Sequence, residues 1–286
     1  MIEIVSHDDA QAFVATSGPY LETRESENSL PLGIAYTLAR DPVHYGNDQA
    51  YLLSILENGH PVGTAVMTPP RRIILSPIMG DRDSVITNLT AHLQEVHAPI
   101  PGVVGPSIEA QAFADKWKVE SDVLAMKLRM QMRVFEVREV ANVPLSTGVL
   151  RLATMEDYAI TTAWVSSFAE AINEPIDIET AKKDVEKCIT ASQLYIWDDG
   201  GPVSIAKESR ATRHGTTITA VYTPPERRNC GYATSCVHSL TKKLLSEGYS
   251  FCSLYTDLSN PTSNSIYAKI GYAPVGDSLA FDFEYP

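Results

Sequence analysis

Val221-Tyr222-Thr223-Pro224-Pro225-Glu226-Arg227-Arg228-Asn229-Cys230-Gly231-Tyr232-Ala233-Thr234 is the stretch from which the fold can be read. A β-branched run over 216–223 leads into it, and a segment with helical spacing, about 231–247, leaves it before Gly248. The order is therefore strand, turn, helix. The first turn of any helix leaves backbone N–H groups without partners, and the aligned peptide dipoles add partial positive charge there. Gly231 lets an anion approach the backbone, Ala233 keeps the next turn open, and Arg227 and Arg228 add full positive charge. These features describe a cradle for phosphate. The same composition also occurs in ordinary turns, and neither a GxxxxGK(S/T) loop nor a GxGxxG dinucleotide turn is present.

A second signal follows thirty residues later: Asn260-Pro261-Thr262-Ser263-Asn264-Ser265-Ile266-Tyr267-Ala268-Lys269-Ile270-Gly271-Tyr272. Pro261 near the start and Gly271 at the end bracket a short helix. Asn260, Ser263 or Asn264, and Tyr267 share one of its faces.

The two stretches together resemble the GNAT superfamily of acyl-CoA N-acyltransferases, over about residues 150–286. The family's cofactor turn reads Gln/Arg-x-x-Gly-x-Gly/Ala, matched by Arg228, Gly231 and Ala233. Its second pattern, Asn-x-x-Ala/Ser-x-x-x-Tyr-x-x-x-Gly-Phe/Tyr, fits from Asn260 through Tyr267 to Tyr272. The resemblance implies acetyl-CoA as co-substrate, its diphosphate held by backbone amides of Asn229, Cys230, Gly231, Tyr232, Ala233 and Thr234. It implies that the backbone of Val221 and Thr223 pairs with the pantetheine arm, which Asn260 also bonds, and that Ser263 belongs to the cofactor-binding set. Tyr267 then protonates the departing thiolate, a role open to a phenol that is neutral at pH 7. Some members carry a Glu in the middle of the strand before the turn; here that place reads Thr217-Ile218-Thr219-Ala220. Glu208 on the neighbouring strand, His214, or a chain of waters is left to take the amine's proton. Cys230 reads as incidental to the chemistry.

Around this core the chain reads as α/β (α+β). Before the turn come a strand at 150–152, helices at 155–168 and 178–189, and a hairpin of 194–197 and 203–208 about Asp198-Asp199-Gly200-Gly201. After it come a strand at 251–256, the short helix, and a closing strand at 279–283. Residues 140–148 have connector composition. Upstream lie polar helical stretches near 8–16 and 32–38, strands at 51–56, 61–67 and 73–75, a helix at 83–96, a strand at 103–104, a helix at 109–118 and a closing strand at 125–137. The shared element order predicts two tandem GNAT-like domains, each a mixed, mostly antiparallel sheet flanked by helices. They are expected at 1–143 and 144–286, the first without a cofactor turn.

The formal net charge of −12 argues against a nucleic-acid partner. The four cysteines have no CxxC or zinc spacing and the histidines form no HExxH, so no metal is expected. No leader or membrane-length apolar run is seen, and a cytoplasmic monomer or homodimer is expected. The leading reading is transfer of acetyl to a primary amine of a small molecule. A non-catalytic acyl-CoA-binding module, and an acetyltransferase acting on a protein or peptide amine, are the alternatives.

Overall fold

The computed structural model describes residues 1–286 and divides into two compact units. The first comprises Met1–Val134, Tyr255–Asn260 and Pro274–Pro286; the second comprises Phe135–Leu254 and Pro261–Ala273.

The first unit contains β1 (Ile2–Ser6), α1 (Ala10–Glu22), α2 (Ser29–Arg40), β2 (Tyr51–Glu57), β3 (His60–Met67), β4 (Ile73–Leu75), α3 (Arg82–Glu95), β5 (Gly102–Pro106) and α4 (Ser107–Glu120). The long strand β6 (Ala125–Val137) runs from it into the second unit. The second unit continues with β7 (Val149–Leu152), α5 (Tyr158–Ala171), α6 (Ile178–Thr190), β8 (Leu194–Asp198), β9 (Pro202–Ser209), β10 (Gly215–Tyr222) and α7 (Tyr232–Ser246). Then come β11 (Phe251–Asp257), α8 (Pro261–Ile270) and β12 (Ala273–Glu284). Both units repeat β-α-α-β-β-β-α-β-α, and β1 is an element that the sequence reading missed. Its five residues, Ile2-Glu3-Ile4-Val5-Ser6, alternate too briefly to stand out, yet they pair antiparallel with β2 in the register Ile4↔Ile55.

In the first unit the strand order is β1-β2-β3-β4-β5-β12, and in the second β11-β10-β9-β8-β7 follows the last residues of β6. The hairpin neighbours are antiparallel, whereas β4–β5 and β10–β11 are parallel because a helix crosses over between them.

The compact units are not consecutive halves divided at 143/144. The last strand of the chain pairs antiparallel with β5, in the register Leu279↔Gly105 and Phe281↔Val103. Phe281 and Phe283 bury themselves with Phe113, Trp117 and Leu89 in the first core. Conversely, Phe135 and Val137, at the end of β6, join Leu240, Leu254, Tyr267 and Ile270 in the second. Alternating apolar residues require a buried face but do not say whose.

α7 carries the second core on one side. Cys236, Val237, Leu240, Thr241 and Leu244 are buried at helical spacing, and Ile218 and Leu254 meet them from the sheet. Arg151 ties the entry to this unit together. Its Nη1 and Nη2 donate to Asp157 at 2.7 and 2.9 Å, and its Nε donates to Asp198 at 2.7 Å. The guanidinium holds both carboxyls below their ordinary range. A carboxyl with a lowered folded-state pKa stabilises above its unfolded value and loses that contribution as pH falls through the folded one. Stability should therefore drop on acidification below about pH 4, and Asp157→Asn should flatten that part of a urea-midpoint titration.

Candidate active site

β10 is built from Thr216, Thr217, Ile218 and Thr219, residues that suit a pleated, half-buried surface. On one edge it pairs with β11 over Gly215↔Phe251, Thr216↔Cys252 and Thr217↔Ser253, and there the parallel register ends. On the other edge it pairs with β9 as Ile218↔Glu208 and Thr219↔Lys207, then resumes at Tyr222↔Ile205. Three steps along β10 thus face two along β9, which is a β-bulge, and Ala220 within it has a left-handed φ of 50°. A bulge bends a strand and increases its twist. Residues 218–222 consequently have one edge without a strand partner, and Val221 lies on that free stretch.

Beyond β10 the chain makes a 3-10 turn over Pro225–Arg227. Arg228 folds back, its Nε donating to the carbonyl of Thr223 at 3.0 Å, with its guanidinium 6.0 Å from the Tyr222 ring centre. It straps the turn as well as charging it. Asn229 and Gly231 then both adopt left-handed φ, 64° and 80°, and α7 begins with no side chain capping it. The amides of Arg227 and Arg228 donate to Pro224 and Pro225, and that of Ser235 to Gly231. The six amides between them, Asn229 through Thr234, have no acceptor in the protein. Alternating backbone handedness turns successive N–H groups toward one concavity, as in anion-binding nests. The first turn of α3, at the equivalent place in the first unit, is different: Asp81 caps it, accepting from the Ser84 amide at 3.5 Å and its hydroxyl at 2.6 Å. That helix start already carries its own anion.

Tyr267 lies on α8, 8% exposed, in the core with Phe135 and Tyr272, at ring-centroid distances of 6.5 and 6.0 Å. The hydroxyl of Tyr272 bonds Thr241 at 2.9 Å, but that of Tyr267 makes no hydrogen bond within the protein. Burial alone pushes its pKa up to about 12. It is a neutral phenol with an uncommitted donor, the state required of a general acid.

Glu208 accepts from Thr216 Oγ1 at 3.2 Å and bonds the phenol of Tyr249, whose pKa burial and then this carboxylate's charge push up to about 12. It stands across from Ile218, next to the last paired step of β10 and β11. Ser263 lies in the first turn of α8, in the same unit as the cradle. Asn260 ends the Tyr255–Asn260 segment, which compacts with the first unit, and its amide donates to the Asp257 carbonyl at 3.1 Å. Both make further polar contacts. Thr223 holds Ser204 Oγ through its hydroxyl at 2.8 Å in addition to the Arg228 strap. Cys230 is exposed and only weakly engaged, its Sγ 3.5 Å from the Arg228 carbonyl. No group of three or more His, Cys, Asp or Glu is placed to hold a metal, and no helix is long and apolar enough to cross a membrane.

The sequence reading missed Ser146 and Ser235, which bond one another beside the cradle. Ser146 sits in the connector, 89 positions from its partner, where no local pattern marks it.

Residues 200–278, which include the cradle and Tyr267, match the family described as FR47-like protein. No curated protein matches the chain in sequence. Among solved structures, the chain is similar to a GCN5-related N-acetyltransferase from Sphaerobacter thermophilus: 14% identity, TM-score 0.64, 100% of this chain and 96% of that one covered. An acetyltransferase of the GNAT family from Colwellia psychrerythraea gives 14% identity and a TM-score of 0.58, covering 99% and 100%. A tandem GNAT protein from the clavulanic acid biosynthesis pathway gives 13% and 0.59, covering 99% and 98%.

Proposed function

We propose that this chain, whose fold is similar to that of a tandem GNAT protein, transfers acetyl from acetyl-CoA to a primary amine of a small molecule by direct attack. The observation that carries the reading is the run of six partnerless amides, Asn229 through Thr234, at the start of α7. Hydrogen bonds from such amides to a charged diphosphate belong to the strong, charge-assisted class. The free edge of β10 offers Val221 to an amide-bearing arm, and Ser263 is assigned to the cofactor site. Acetyl-CoA supplies the activated acyl group. The chain's residues supply position and protons: Tyr267 gives its proton to the leaving sulfur, and Glu208 accepts the amine's proton through water.

Titration calorimetry should show acetyl-CoA binding, and thiol release should follow addition of a suitable amine from a panel. A chain with an intact cradle that ignores acetyl-CoA would refute the proposal. One observation favours a second reading, a non-catalytic acyl-CoA-binding module: residues 217–220 carry no carboxylate. Binding without thiol release across the amine panel would select it, and release only with peptide substrates would select transfer to a protein amine.

The proposed base has its own test. Glu208→Gln keeps the shape and an acceptor for Thr216 while removing the basic group. It should lower kcat/KM about tenfold at pH 7, below the range for a directly placed base because water intervenes, with acetyl-CoA affinity unchanged. Unaltered kcat/KM would transfer the role to solvent alone.

A further inference from the structure

The cradle does not hold its own shape. Asn229 and Gly231 are left-handed, α7 has no side-chain cap, and of the bonds made inside the turn only the weak one from Cys230 Sγ to the Arg228 carbonyl comes from beyond Arg228. The fixing contacts come from the connector instead. Ser146 Oγ donates to the carbonyl of Cys230 at 2.7 Å. The Ser146 amide donates to Ser235 Oγ at 2.8 Å, and Ser235, fully buried in the second turn of α7, donates back to Ser146 Oγ at 3.2 Å. Gly231 packs so closely that a Cβ there would sit 2.8 Å from Ser146 Oγ.

The next two connector residues anchor this contact. Thr147 Oγ1 donates to Asp199 Oδ2 at 2.9 Å, and the Thr147 carbonyl accepts from Trp197 Nε1 at 2.8 Å. Gly148, at φ 112°, lies where a Cβ would be 2.5 Å from the Asp198 carbonyl oxygen. The circuit closes on the cradle, because Asp199 Oδ2 also accepts the hydroxyl of Tyr232, the first residue of α7, at 2.7 Å.

We infer that residues 146–148 are a preformed bracket for the cofactor cradle, with Ser146 as its positioning residue. The inference rests on the acyl-CoA reading. Its physical basis is the planar trans peptide, in which a carbonyl and the N–H of the following residue point in opposite directions. Drawing the Cys230 carbonyl toward Ser146 turns the Gly231 amide away from the connector and into the concavity. The bonds from Ser146 to Cys230 and Ser235 hold that orientation before any ligand arrives, so binding need not order the loop. Ser146 touches no reacting atom, and its effect should appear in affinity alone.

The test compares wild type with Ser146→Ala and, one step along the circuit, Thr147→Val, which removes the bond to Asp199. Ser146→Ala should raise the acetyl-CoA Kd and KM about tenfold, and Thr147→Val about threefold, with kcat at saturating acetyl-CoA within about twofold of wild type. Inorganic pyrophosphate, which can engage the cradle alone, should weaken as a competitor by the same factors, and thermal unfolding should be unmoved. Unchanged Kd in Ser146→Ala, or a fall in kcat and melting temperature without a change in Kd, overturns the bracket while the proposed function stands. A wild-type protein that binds neither acetyl-CoA nor pyrophosphate overturns the function, and the bracket with it.

Discussion

Tyr267→Phe is expected to lower kcat on the order of a hundredfold, the lower end of what a positioned proton donor contributes, while acetyl-CoA binds as in wild type. The substitution removes one oxygen from a ring packed against Phe135 and Tyr272. Because that hydroxyl has no partner in the protein, its loss leaves no group unsatisfied and the fold should be unaffected. Stopped-flow thiol release under single turnover would isolate the step. The pH dependence follows from the same burial. A phenol with pKa pushed up to about 12 is raised, so its protonated, competent form persists through neutral and mildly alkaline solution. Tyr267 should contribute no alkaline limb to the kcat profile below about pH 11, and any limb seen nearer neutrality belongs to another group. Full turnover in the Phe variant would remove Tyr267 from the reaction.

Gly231→Val is expected to abolish cofactor binding, with an affinity loss on the order of a thousandfold, equivalent to about 4 kcal/mol. Two physical conflicts act together. Gly231 has φ 80°, a conformation that costs an L-residue about 1–2 kcal/mol and a β-branched one more. Any Cβ there also meets Ser146 Oγ at 2.8 Å, so the turn must move away from the connector. Once it moves, the amides from Asn229 to Thr234 no longer converge, and several charge-assisted hydrogen bonds are lost at once. Because Gly231 is exposed, the core beneath it should survive: circular dichroism should be unchanged and melting shifted by only a few degrees. Retained submicromolar acetyl-CoA binding would show that the diphosphate is not held there.

Much of the second unit was legible in one dimension because its chemistry is local. A helix start and a glycine that permits a left-handed turn lie within a few residues of one another, and Tyr267 sits two turns along a short helix bracketed by its own Pro261 and Gly271. The hairpin, the strand before the cradle and both helices after it fall close to where periodicity places them. The bulge at Ala220 gave no signal, since it arises from the mismatch of two strands and Ala is not a residue that announces a positive φ. Ser146 was invisible for a related reason: a serine in a Pro-, Gly- and Ser-containing connector looks like every other linker residue until Cys230 and Ser235 are folded against it.

The sequence by itself determined the order of elements, their repetition, and the residue types gathered at the start of α7, because hydrophobic period, capping and turn preference act between near neighbours. Only the tertiary structure decided which core each closing strand enters, sending Phe281 and Phe283 to the first unit and Phe135 and Val137 to the second. It alone decided that six amides stay unpaired and that a connector aims one of them. Strand partnership and peptide orientation depend on contacts between residues tens to more than a hundred positions apart, and no local preference encodes those.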